Sequence, residues 1–420
     1  MTTTLAVIGA GARGAAYARL AAAEGAAIVA VADPDPRRRR ALAYQFDIPD
    51  EQVFADWAAL AQRPRLADAA IIATPDRLHA DPACALAERG YALLLEKPMA
   101  TTPADAERIV RACTDNNVLL TVCHVLRYTA YTRRIKDIVD SGRIGDIVSV
   151  EHLEPVGWWH HAHSYVRGQW AVEATSSSML LAKSSHDIDW LGHVVGRPVT
   201  RVSSFGGLYH FRPENKPAGA GTRCVSCPVE RACPYSAVRI YERFLGDPVH
   251  ERWPLGVLTD DVTPEGLRQA LSEGPYGECV YSGHNDVVDH QVVNLEYEGG
   301  ITASFTMTAF SVLDFRKTRI FGTRGSIEGD GRTVTVHDFL TDTSEAIHCA
   351  PQGDASAADG HGGADTELVR AFLTAVTTGD HSAVLSGAVE TLRSHEVVWA
   401  AERSRTTGTV VSLPPRHRPL

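Results

Sequence analysis

From the N-terminus to residue 122, short runs that are apolar almost throughout alternate with stretches of helical make-up. The runs 5–8, 27–32, 68–73, 93–95 and 118–122 have no regular polar side, which fits strands covered on both faces. Alanine-rich residues 15–24, stopped by Gly25, predict one intervening helix. Thr102, Pro103 and Asp105 supply the cap, first-turn proline and acidic residue of another that runs to about residue 116. Strands alternating with helices in this way predict a parallel, doubly wound sheet. After residue 122 the runs 147–154, 199–210, 287–297, 301–310 and 317–328 are longer and alternate polar with apolar, and Glu298-Gly299-Gly300 reads as a hairpin turn. Residues 352–365, made of glycine, alanine, aspartate and little else, read as a flexible loop. Residues 366–377 and 388–401 read as helices and 409–413 as a last edge strand.

The candidate chemistry sits at the ends of the apolar runs. Residues 5–8 lead into Gly9-Ala10-Gly11-Ala12-Arg13-Gly14 and then a helix, the context a dinucleotide fingerprint requires. Gly9 serves the tight turn, Gly11 the close approach of a pyrophosphate and Gly14 the packing of the helix. Asp33 ends the second run, where a carboxylate accepts hydrogen bonds from an adenosine ribose and repels a 2′-phosphate, so NAD is expected over NADP. Arg37 and Arg38 keep NADP as the alternative. Thr74-Pro75, followed by His79, turns at the same sheet edge. The run 93–95 ends in Glu96-Lys97-Pro98-Met99, which delivers a lysine where ligands bind in open α/β sheets.

Composition narrows the classes. A chain of 420 residues exceeds one ordinary core, and a net charge of -10 argues against nucleic-acid or anionic-membrane partners. No membrane span or export signal is visible, so a cytoplasmic setting is expected, with the eight cysteines as thiols or metal ligands.

The glycine loop, the Thr74-Pro75 turn with His79 and the Glu96-Lys97-Pro98 tripeptide, in that order and spacing, resemble the Gfo/Idh/MocA family. Glucose-fructose oxidoreductase and inositol dehydrogenase typify that family. The likeness continues through His124-Val125-Leu126-Arg127-Tyr128, residues 176–189 and the C-terminal helix. It implies an α/β protein with an N-terminal Rossmann domain, residues 1–123. The C-terminal α/β domain, 124–420, would have a large open, mainly antiparallel sheet, with C-terminal helices packing back and an insertion at about 211–283. A homodimer or homotetramer through that sheet is expected. The resemblance also implies a Lys97–Pro98 bond that is commonly cis. It assigns the cofactor to Gly9, Gly11, Arg13, Gly14, Asp33, Thr74, Pro75, His79, Glu96, Lys97 and Arg127.

In the family the histidine matching His186 moves the substrate proton, and Lys97 would stabilise the developing alkoxide. One departure stands out: Ala182 replaces the aspartate that family members carry four residues before that histidine. Lys183 is the nearest substitute, its other reading being an intrahelical pair with Asp187. The activity implied is NAD-dependent oxidation of a secondary alcohol in a sugar, cyclitol or related polyol. The rivals are a redox-neutral epimerase or glycosidase cycle on bound NAD, and a ligand-binding regulator.

Two further segments carry expectations. Trp159, His163, Tyr165, Arg167 and Trp170 offer rings and donors suited to a polyhydroxylated ligand, or else an oligomer interface. Cys224 and Cys227, with Cys233 six residues on, have metal-site spacing, and Cys279 or His284 would complete a structural zinc site. An iron–sulfur cluster and plain free thiols are the alternatives.

Overall fold

The computed structural model describes residues 2–349 and 361–414, so most of the stretch expected to be a flexible loop lies outside the described residues. The first sheet has six parallel strands in the order β3-β2-β1-β4-β5-β6. They are β1 (Thr4–Ile8), β2 (Ala27–Ala32), β3 (Val53–Phe54), β4 (Ala69–Ile72), β5 (Ala92–Leu95) and β6 (Leu120–Val122). Leu5 and Val7 of β1 enter a core on one face, and Ala6 and Ile8 a core on the other. That two-sided burial is why the runs show no polar alternation. Leu368 and Phe372 of the helix Ala364–Thr378 join the Leu5 face, and Leu392 of the helix Ala388–Thr407 joins the opposite one. The last part of the chain thus closes both sides of the first sheet.

The second sheet has nine strands in the order β14-β13-β12-β11-β7-β10-β9-β8-β15. Its members are β7 (Ile147–Pro155), β8 (Val199–Gly207), β9 (His290–Tyr297), β10 (Thr302–Thr308), β11 (Lys317–Gly322), β12 (Gly325–Gly329), β13 (Thr333–Asp338), β14 (Thr343–His348) and β15 (Val411–Ser412). Only β7 and β10 pair in parallel. The single strand expected at 317–328 is two, because the chain reverses at Thr323 and Arg324 between β11 and β12. The hairpin of β13 and β14 had no sequence-based expectation, since β14 is exposed at nearly every position and offers no apolar alternation.

The insertion carries its own apolar cluster. Phe211, Tyr241, Leu255 and Leu271 are buried in it with Trp159, Ala162 and Val166 from outside. Full burial of such side chains contributes roughly 1.5–3 kcal/mol each, in sum comparable to the ~10 kcal/mol of a structural zinc. Arg167 adds three polar anchors: its Nε donates to the Glu278 carbonyl at 2.8 Å, and its Nη2 to the Tyr235 carbonyl at 2.9 Å and to Cys224 Sγ at 3.5 Å.

The zinc expectation finds no support here. Cys224, Cys227, Cys233 and Cys279 do line one small cavity. Among the described residues, however, no group of three or more His, Cys, Asp or Glu is arranged to hold a metal ion. A guanidinium sits on Cys224, and Cys227 Sγ accepts the Gly221 N–H at 3.3 Å. Among the described residues, an apolar core with an arginine at its edge holds the insertion together.

Candidate active site

The glycine loop is built as its residues require. At Gly9, with φ of +90°, a Cβ would stand 2.6 Å from the Ala73 carbonyl oxygen; on Gly14 it would stand 1.9 Å from the Gly9 carbonyl oxygen. Neither position admits a side chain. A Cβ on Gly11 would instead meet only Arg38 Nη1, at 4.0 Å. Space is therefore open in front of Gly11, and the helix Ala12–Ala23 that starts there has no side-chain cap. Its first N–H groups are available to a phosphate, so these residues fit the pyrophosphate of a dinucleotide. Asp33 is buried, with Oδ2 accepting the Ala10 N–H at 2.7 Å and Oδ1 the Asp35 N–H at 2.8 Å. It fixes the loop with one lone pair on each oxygen, and these two bonds leave the other lone pairs unused.

The lysine segment is held from three sides. The Lys97–Pro98 bond is cis. His79 sits between two carbonyls, Nδ1 at 2.8 Å from Pro98 O and Nε2 at 2.9 Å from Thr74 O, which ties the Thr74-Pro75 turn to the segment. Glu96 accepts the Lys97 N–H at 2.7 Å through Oε2 and Arg13 Nε at 2.7 Å through Oε1. Burial alone would raise the Glu96 pKa, but Arg13 and Lys97 outweigh it and hold the group as a carboxylate.

The stretch 176–189 is not one helix. It breaks at Lys183 and Ser184 into Met179–Ala182 and Ser185–Val195. The break leaves the Ala182 carbonyl at a helix end, where it accepts Lys97 Nζ at 2.7 Å. It also sets His186 in the first turn of the second helix. Lys97 and His186 are thereby brought to one place from strands and helices of the two sheets.

His186 is buried, and neither ring nitrogen has a hydrogen-bond partner among the described residues. Burial, then the charge of Lys97, push its pKa well below the ordinary range, with His124, His361 and Arg316 adding to the effect. It is a neutral imidazole at pH 7 with a lone pair to offer.

Lys183 does not pair with Asp187. Its Nζ lies 3.3 Å from Glu154 Oε1, while Asp187 Oδ1 accepts Arg316 Nε at 2.9 Å and lies 3.2 Å from His152 Nε2. Arg316 Nε also lies 2.6 Å from Glu154 Oε2. Burial lowers the Lys183 pKa by more than Glu154 raises it. Arg127, expected at the cofactor, is engaged by protein groups: Nε and Nη2 grip Asp189 at 2.6 and 2.7 Å, and Nη1 donates to the Leu385 carbonyl.

The aromatic segment divides. Trp159 packs on Phe244 and Trp253, His163 Nδ1 lies 2.9 Å from Tyr241 Oη, and Arg167 anchors the insertion, so these three contact the insertion. Tyr165 stands near Asp76, Glu154 and Arg316, and Trp170 Nε1 donates to Asp76 Oδ2 at 3.1 Å beside the Thr74-Pro75 turn.

Two residues that the sequence reading does not single out, His361 and Asp365, join Arg13 at the site. Arg13 Nη1 and Nη2 donate to Asp365 at 2.9 Å each, and Asp365 lies 3.4 Å from His361 Nδ1. The sequence signal was His361-Gly362-Gly363-Ala364-Asp365, a glycine pair directly before a helix with an acid in its first turn.

A parallel sheet with a glycine loop, and a lysine and a neutral histidine converging beyond its edge, define a dinucleotide-dependent oxidoreductase class. Comparison with known proteins agrees. Residues 3–124 match the oxidoreductase family NAD-binding Rossmann fold, and residues 136–413 match the same family's C-terminal alpha/beta domain. The chain belongs to the Gfo/Idh/MocA oxidoreductase family.

Among relatives, it is 30% identical over 207 residues to a 2,7-anhydro-N-acetylneuraminate hydratase of Mediterraneibacter gnavus, covering 49% of this chain and 53% of that one. It is 37% identical over 154 residues to inositol 2-dehydrogenase 1 of Saccharopolyspora erythraea, covering 36% and 45%. The chain thus spans about half the length of the curated relatives it matches. A levoglucosan dehydrogenase solved with NADH and levoglucosan has the same fold, with a TM-score of 0.73, 18% identity and coverage of 99% and 100%.

Proposed function

We propose that this protein uses NAD to oxidise a secondary alcohol of a sugar, cyclitol or related polyol. The observation that carries the reading is the meeting of Lys97 and His186: an ammonium held on the Ala182 carbonyl at 2.7 Å beside a buried, neutral imidazole whose nitrogens have no hydrogen-bond partner among the described residues. Lys97 has two further N–H bonds for a substrate oxygen and stabilises negative charge as it develops there. His186 takes the hydroxyl proton. The Gly9–Gly14 loop, Asp33 and the Thr74-Pro75 turn would hold NAD, which supplies the hydride acceptor when bound. Asp33 at the ribose favours NAD over NADP.

The named relatives support a carbohydrate or cyclitol substrate. The hydratase among them favours, as the second reading, a redox-neutral cycle in which the substrate is oxidised, altered and reduced again. We place the boundary between the domains near residue 123. We place the protein in the cytoplasm, a reading its eight free cysteines support. Homo-oligomers would form through the second sheet, whose outer face exposes Phe205 and Phe321.

The test is a screen of sugars, cyclitols and glycosides with NAD and NADP that follows both reduced cofactor and product. Accumulating NADH marks a dehydrogenase, and product without net NADH marks the cycle. Absence of both with every polyol contradicts the reading.

A further inference from the structure

The proton taken by His186 needs somewhere to go, and the carboxylate that would stand at position 182 is an alanine. Two imidazoles flank His186: the ring of His124 at 5.7 Å and the ring of His361 at 5.9 Å between centroids. They differ in their access to solvent. The side chain of His124 is 1% exposed, and on its far side lies His395, at 5.7 Å, itself buried. The side chain of His361 is 14% exposed, enough to release a proton.

The backbone places His361 deliberately. It adopts φ of 51°, a left-handed conformation uncommon for a non-glycine residue, and Gly362 and Gly363 follow at 69° and 90°. Its Nδ1 faces Asp365 at 3.4 Å, and Asp365 is fixed by both terminal nitrogens of Arg13 in the glycine loop. An Nδ1–H donated to that carboxylate leaves the lone pair of His361 on Nε2.

We propose that His361, oriented by Asp365, is the second member of the proton route and takes over the work of the missing carboxylate. The proposal rests on the oxidoreductase reading above. The substrate O–H proton passes to the lone pair of His186. Its other nitrogen gives a proton to His361 Nε2, and His361 releases one to water. The electron pair of the carbinol C–H leaves as hydride to bound NAD, so alcohol and NAD become carbonyl, NADH and one proton. His361 and Asp365 are positioning residues in this scheme, since they act through His186. The charged and titratable groups around the pair are Lys97, His124 and Arg316 at His186, and Asp365, Arg13 and Lys183 at His361.

The experiment is side-chain nitrogen NMR of the full chain saturated with NAD, comparing wild type with His361→Gln and Asp365→Asn. In the wild type, His361 should be the Nδ1–H tautomer. Asp365→Asn should mix its tautomers, and either substitution should move the His186 titration by half a pH unit or more. A His186 titration that moves by less than about a tenth of a unit in both variants overturns the proposal, whatever the substrate proves to be. With any polyol that is turned over, His361→Gln should lower kcat at least tenfold with KM changed less than threefold, and His361→Ala should be rescued by added imidazole. Rescue of a His124 variant in place of the His361 variant would assign the route to the buried side and also overturn it. If no polyol is oxidised, the dehydrogenase reading fails while the NMR result still decides the dyad.

Discussion

Arg13 and Asp365 are 352 residues apart in sequence and joined by two N–H···O bonds of 2.9 Å. The same guanidinium bonds Glu96 through Nε at 2.7 Å, so one arginine of the glycine loop serves the lysine segment and the last-but-one helix together. Burial would lower the Arg13 pKa, but Asp365, Tyr17 and Glu96 raise it further.

Replacing this arginine by an isostere should therefore strand two buried carboxylates. We predict that Arg13→Met costs about 3 kcal/mol or more in urea unfolding at pH 7. In the wild type Arg13 holds Asp365 and Glu96 below the usual carboxylate range, so the pair's contribution is complete above about pH 5 and fades as pH falls. The gap between wild type and variant should narrow from pH 7 to pH 4. A gap independent of pH would mean that the two carboxylates are not what Arg13 serves.

Lys97→Ala should lower turnover roughly a hundredfold or more, the loss expected for one oxyanion-stabilising donor. NAD binding, measured by titration calorimetry, should change little, because no part of the glycine loop hangs on Nζ. Retention of more than half the rate would remove Lys97 from the chemistry.

Asp33→Ala should weaken NAD and narrow its advantage over NADP. The carboxylate both anchors the Ala10 N–H and opposes a 2′-phosphate, and Arg38 Nη1 stands 4.0 Å from where a Gly11 Cβ would be, ready to take that phosphate. An unchanged ratio of NAD to NADP affinity would place the ribose elsewhere.

Buried neutral histidines should make the fold acid-labile. Burial lowers the pKa of His124 to about 4, of His163 to about 3 and of His395 to about 3. Below the unfolded value near 6.5 the unfolded chain binds these protons and the folded chain does not. Stability falls as pH drops from 6.5 toward 4, by about 1.4 kcal/mol per pH unit for each histidine. Thermal unfolding followed from pH 7.5 to 5 should show a decline that begins near pH 6.5; a flat profile would mean that these imidazoles are charged in the fold.

Arg167→Met should loosen the insertion while the first sheet stays folded, since among the described residues the guanidinium bonds insertion groups alone: Glu278 O, Tyr235 O and Cys224 Sγ. Limited proteolysis should cut between residues 211 and 283 in the variant at conditions where the wild type resists. Equal resistance would show that the apolar cluster alone suffices.

Local rules made much of this molecule readable. The glycine loop and the lysine strand are short-range devices, in which Gly9, Gly14 and the apolar residues of β5 specify their own surroundings. Where several ligands converge from distant elements, the sequence is silent. Nothing near Cys224 says that Arg167, 57 residues earlier, reaches its sulfur, and the spacing of the cysteines gives no sign of the apolar cluster around them. The protein partners of Arg127 and the ring segment were hidden for the same reason: a residue type suited to a ligand suits a protein carbonyl or carboxylate equally well. The helix break at Lys183 and Ser184 was hidden because a short interruption does not disturb the apolar spacing on either side of it. His361 and Asp365 were read as loop because glycines flank them, yet the glycines are what turn the histidine toward His186.

The central claim is that the Lys97–His186 pair drives reduction of bound NAD by a polyol. The most direct test is a single turnover of NAD-loaded protein with a polyol from the screen, deuterated at the carbinol carbon. Deuterium is expected on the nicotinamide ring within one turnover, whether or not NADH later accumulates, with transfer slowed roughly a hundredfold or more in Lys97→Ala. Product formed with no deuterium ever reaching the cofactor, or transfer at the wild-type rate in the variant, would contradict it.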